Sequence, residues 1–131
     1  MVPLMRYCTV GSVPLSHFLS AEQIERIVQR TRQGGGEILG LKKVGSACDA
    51  PGVAIAQMVD AIANGRNSIV PTVAILEGEY GRKDIAMGVP CVLTEEGIAR
   101  VIELPLDAQE QAMFDHSADQ VVRDIAEMKA L

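Results

Sequence analysis

The sequence predicts an α+β fold, a mixed and mainly antiparallel sheet accompanied by long helices. Three observations carry this. Apolar residues at helical spacing occupy both ends of the chain, and β-branched runs fill the stretch between them. Two capping boxes, Ser20-Ala21-Glu22-Gln23 and Asp107-Ala108-Gln109-Glu110, mark the starts of long helices. Helices and strands are segregated rather than alternating, which opposes a doubly wound sheet. With 131 residues the expectation is a single domain, 1–131.

Residues 2–10 read as a strand-like run without a leading turn. Ser20 then starts a helix over 20–43, with Ile24, Ile27, Val28 and Thr31 on one face. Gly34-Gly35-Gly36 either ends that helix or marks a close backbone contact within it, and Ile38, Leu39 and Leu41 resume the pattern. After Gly45-Ser46-Ala47-Cys48, Asp49 can cap a helix over 49–63 whose first turn tolerates Pro51. Val53, Ile55, Ala56, Met58, Val59 and Ile62 carry it to the stop at Asn64-Gly65.

The period then changes to that of strands. Residues 68–76 form one, with Pro71 pointing to an edge or a bulge. Gly78-Glu79-Tyr80-Gly81 is a turn. Residues 85–87 and 89–93 read as two short strands, and Thr94-Glu95-Glu96-Gly97 as a hairpin turn into a return strand over 98–104. In the last helix Phe114, Ala118, Val121, Ile125 and Met128 line one stripe, while Glu110, Asp119, Arg123 and Glu127 face the other way.

Composition narrows the function. The net charge of −5 opposes nucleic acid as a partner, because phosphate binding needs a basic stripe. Arg26, Arg30 and Arg32 sit among Glu22, Glu25 and Glu37 and read as a solvated helix face. Cys8, Cys48 and Cys91 are odd in number and widely spaced, which points away from disulfides and metal and toward a reducing cytoplasm. The first residues lack the basic segment of a signal peptide, and Gln57 and Asp60 interrupt the apolar stretch near residue 53, so no membrane association is expected.

No self-sufficient chemistry emerges. Gly34, Gly36 and Gly40 follow a helix rather than a strand and are one residue too widely spaced for a dinucleotide loop. His17 precedes a helix cap and His116 flanks the last helix, both expected in solvent. Glu77, Glu79 and Asp84 are ordinary carboxylates around a turn. No residue is assigned as catalytic and none as a metal ligand.

Five segments in register nonetheless resemble one family. They are Met1-Val2-Pro3-Leu4-Met5-Arg6-Tyr7, Gly34-Gly35-Gly36-Glu37-Ile38-Leu39-Gly40, Gly45-Ser46-Ala47 with Ala50-Pro51, Glu77-Gly78-Glu79-Tyr80-Gly81 with Lys83-Asp84-Ile85, and Gly88-Val89-Pro90. Their order and spacing resemble the C-terminal domain of NAD-dependent malate dehydrogenases of the bacterial, lactate-dehydrogenase-like type. The resemblance implies a substrate-side domain that partners a Rossmann domain carrying NAD. In the family the catalytic histidine, its aspartate and the substrate arginines lie upstream of the first segment, so this chain is expected to be inactive and to bind no NAD alone. The resemblance assigns Ser46 and Ala47 to the wall of the substrate pocket and Pro51 to the nicotinamide side. Cys48-Asp49 departs from the family, which usually has an aromatic pair there. It also implies a cytoplasmic homo-oligomer joined through the helices at 20–43 and 49–63. The other reading is a stand-alone interaction or oligomerisation module.

Overall fold

The computed structural model describes residues 1–130. The fold is α+β, as the segregation of periods predicted, with every strand pair antiparallel among the described residues. The chain forms two compact units, Met1–Cys48 and Asp49–Leu131.

In the first unit the expected strand over 2–10 is mostly absent. Tyr7 N–H donates to Leu4 O (3.1 Å) and Cys8 N–H to Met5 O (3.0 Å), closing a 3-10 turn over Met5–Tyr7. Backbone donors spent locally cannot join a ladder. Only β1 (Thr9–Val10) pairs with β2 (Val13–Pro14), across Gly11-Ser12, both at positive φ as a tight hairpin loop requires.

Helix α1 spans Ala21–Lys42. Its capping box is complete: Gln23 N–H donates to Ser20 Oγ (3.3 Å), and Ser20 N–H to Gln23 Oε1 (2.8 Å). The helix runs unbroken through Gly34–Gly36, and a Cβ at any of the three would meet nothing within 4 Å. Both alternatives read from the sequence therefore fail: the glycines neither end the helix nor make room for a neighbour within this chain. Each costs the helix about 1 kcal/mol, and the helix formers on either side carry it through. It stops where Lys43 turns left-handed (φ +61) and donates its N–H to Leu39 O.

The second unit begins with α2 (Asp49–Ala63). Asp49 is already helical, so Pro51 is the third residue, where a missing N–H leaves no intrahelical bond unmade. Strands β3 (Ser68–Glu77), β4 (Lys83–Thr94) and β5 (Gly97–Val101) come next, in the sheet order β3-β4-β5. The two short strands expected at 85–93 are one: Gly88 stays in the ladder opposite Val73. Pro71 lies on the edge strand, where a lost donor faces no partner.

The return strand ends at Val101 rather than 104 because Tyr80 captures the backbone of residues 102–104. Its hydroxyl donates to Ile102 O (2.9 Å) and accepts from Leu104 N–H (3.0 Å). Its own N–H donates to Glu103 Oε2 (2.7 Å), and its ring lies 5.0 Å from that of Phe114. Tyr80 is left-handed (φ +53) to do this.

Helix α3 spans Ala108–Lys129. Asp107 accepts from Gln109 and Glu110 N–H, both at 2.9 Å, and Glu110 returns the bond. Arg82 ties the strand corner to α3 through Asp115 (2.6 Å) and Asp119 (2.9 Å). One face of the sheet makes the core: Ala74, Leu76, Ile85, Met87, Val89, Cys91 and Leu93 are buried together with Ala61, Phe114 and Ala118. Burial pushes the Cys91 thiol above its ordinary value, so it stays a neutral packing group.

Candidate functional site

The residues assigned to a pocket wall lie where α1 ends and α2 starts. Lys43 (φ +61) and Gly45 (φ +84) bend the backbone out of the helix. Lys42 Nζ then donates back to Ser46 O (3.2 Å), and Cys48 N–H donates to the same carbonyl (2.9 Å). This turn brings Ser46 and Ala47 together with the backbone folded tightly behind them. Ser46 is exposed, Ala47 is half-buried and the Cys48 thiol is exposed. Pro51 belongs to the second unit, where it is exposed in the first turn of α2.

Sequence reasoning missed Lys42. A cation in the last turn of a helix was the available signal, since it can reach the free carbonyls there. It fixes the carbonyl of Ser46 and so sets how the small wall is presented.

Helix α1 also offers an open groove of about 530 Å³ lined by Ile27, Arg30, Thr31, Gly34, Glu37, Ile38 and Leu41. Arg30 grips Glu37 two turns away through two hydrogen bonds, of 2.9 and 3.1 Å. Gly34 lies between them and interposes no side chain. The hydrogen bond from Arg30 holds the Glu37 carboxyl below its ordinary value and raises the guanidinium in return. A fork-to-fork pair of this kind binds its own partner, not a free carboxylate.

His17 and His116 are exposed, as expected. Among the described residues no group of three His, Cys, Asp or Glu could hold a metal ion, and no helix is long and apolar enough to cross a membrane. The glycines at 34, 36 and 40 sit inside α1, where the backbone N–H groups bond within the helix. They do not fit the pyrophosphate of a dinucleotide, which takes N–H groups left free at a strand-to-helix turn. The arrangement can shape one side of a small-molecule pocket, and it contains no nucleophile or general base poised beside it.

Residues 1–131 match the family described as lactate/malate dehydrogenase, alpha/beta C-terminal domain. The chain is 88% identical over 131 residues to a probable malate dehydrogenase of Pseudomonas putida, covering 100% of this chain and 47% of that protein. A malate dehydrogenase of Thioalkalivibrio sulfidiphilus is 57% identical over 129 residues, with 98% and 42% covered. Among solved structures, malate dehydrogenase from Salinibacter ruber superposes with a TM-score of 0.95 at 42% identity, covering 99% of this chain and 42% of that one. Lactate dehydrogenase from Eimeria maxima, solved with NADH and oxamate, gives 0.93 at 32% identity, with 98% and 40% covered. The chain thus spans less than half the length of the relatives it matches, and throughout that span it belongs to the lactate/malate dehydrogenase family through its α/β C-terminal domain.

Proposed function

We propose that the chain is the substrate-side part of an NAD-dependent malate dehydrogenase that interconverts malate and oxaloacetate in the cytoplasm. The observation that carries this is the 88% identity to a probable malate dehydrogenase along every residue of the chain. Hydride exchange belongs to the nicotinamide cofactor. The chain's own residues bind and enclose. Ser46 and Ala47 form a small-sided wall against the dicarboxylate, Lys42 holds the Ser46 carbonyl, and Pro51 stands on the nicotinamide side. Small side chains let the backbone approach the substrate closely. The catalytic histidine, the substrate arginines and the NAD loop come from a separate Rossmann part. The faces of α1 and α2 left apolar, with Leu41 77%, Val53 62% and Val59 57% exposed, associate in a homo-oligomer.

Complementation tests this. The purified chain should not oxidise NADH in the presence of oxaloacetate. Mixing it with the separately produced first half of the Pseudomonas putida relative should restore turnover, and Ser46→Trp should abolish the restored activity by filling the pocket. Turnover by the chain alone, or restored activity indifferent to Ser46→Trp, would contradict the assignment.

A further inference from the structure

Both faces of the β3–β4 ribbon are apolar, and the chain covers only one. On the uncovered face Ile69, Val73 and Ile75 stand 65%, 65% and 64% exposed along β3. Beside them on β4 run Gly88, paired with Val73, and Ala86 and Pro90. An antiparallel sheet with one wetted face alternates apolar and polar residues. Ile69-Val70-Pro71-Thr72-Val73-Ala74-Ile75-Leu76 does not alternate, so its composition is that of a strand covered on both sides. Gly88 supplies a second, independent observation. A glycine inside a strand weakens it and marks a place where something approaches closely. Its φ is not left-handed, and a Cβ there would meet nothing within 4 Å. No feature of the chain itself calls for glycine at this position.

Together the two rows make a ridge of large side chains beside a groove floored by small ones. We propose that this sheet face docks a second copy of the chain, face to face about a two-fold axis running along the strands. That operation lays the β3 ridge of each copy into the β4 groove of the other, with Val73 over Gly88. Ridge and groove lie in one surface, so the contact is self-complementary and closes as a dimer. The face offers about 500 Å² per copy, or about 1,000 Å² in all, the lower bound for a specific interface. Glu77 opposite Lys83 at one end, and Arg100 beside Val92 at the other, provide a charged rim. This surface is separate from the α1 and α2 faces and stands whether or not those associate.

Sedimentation equilibrium on the chain and three variants decides the matter. Val73→Lys puts a charge on the ridge. Gly88→Val fills the groove while suiting the strand, so it should leave the unfolding midpoint unchanged or raised. Leu41→Lys charges α1 as a control. The expected result is that both sheet variants weaken one association step at least about tenfold, and that Leu41→Lys leaves that step intact. Association lost with Leu41→Lys but untouched by both sheet variants would overturn the proposal. So would a chain that stays monomeric up to about 1 mM, the face then belonging to another segment of a longer polypeptide.

Discussion

The two units use apolar residues for different ends. In Asp49–Leu131 they face inward: Leu76, Cys91 and Ala118 have no exposed surface, and sheet and helices share one core. In Met1–Cys48, Val28 is the one buried hydrophobic side chain among the described residues, while Ile27, Leu39, Leu41 and Val44 stand 44–84% exposed. The second unit is held together by its own packing. The first has its local hydrogen bonds and caps, and keeps its apolar stripe open. Helices in proteins are stabilised mostly by packing of the amphipathic face, so α1 is written for a neighbour.

Substitutions sharpen the contrast. Leu76→Ala should have the largest effect, lowering stability by about 2–5 kcal/mol, because a side chain with no exposed surface leaves a cavity. The urea midpoint monitored by circular dichroism measures it. The matching change in the first unit, Leu41→Ala, should shift that midpoint by less than about 0.5 kcal/mol. An equal loss at both positions would break the comparison. Tyr80→Phe comes next, at about 1–3 kcal/mol, since it leaves Ile102 O and Leu104 N–H without their partner. Gly35→Ala should move in the opposite direction and raise helicity, stabilising α1 by about 1 kcal/mol, because no atom of the chain opposes the added methyl.

The smallest effect expected is electrostatic. Hydrogen bonds from Arg82 and then Gln111 hold the Asp115 carboxyl below its ordinary value. A folded-state value below the unfolded one gives stability that is present above the unfolded pKa and lost as pH falls through the folded one. The second unit should therefore weaken below about pH 4. Arg82→Ala should flatten part of that decline, and an unchanged acid profile would remove the pair from the account. Both carboxylates are substantially exposed, so solvent screens the contribution.

Much of the fold was legible in local pattern. The two capping boxes sit where Ser20 and Asp107 announced them, and α1, α2 and α3 end within a residue or two of their sequence signals. A cap is a contact among four consecutive residues, so the sequence holds all its parts. The candidate wall was legible only through resemblance. Ser46 and Ala47 carry no chemistry of their own, and the Lys42 bond that presents them is made by a side chain to a backbone carbonyl.

What the sequence determined by itself is the alphabet of elements, the α+β class and the absence of a self-contained reacting set. Tertiary structure decided the rest. It merged residues 83–94 into one strand, because the ladder to β3 holds Gly88 extended. It ended β5 early, because Tyr80, more than twenty residues away, takes the next carbonyl and amide. It carried α1 through three glycines whose space no part of this chain fills. Each outcome turns on pairing between distant residues, or on its absence, and local propensity cannot encode that.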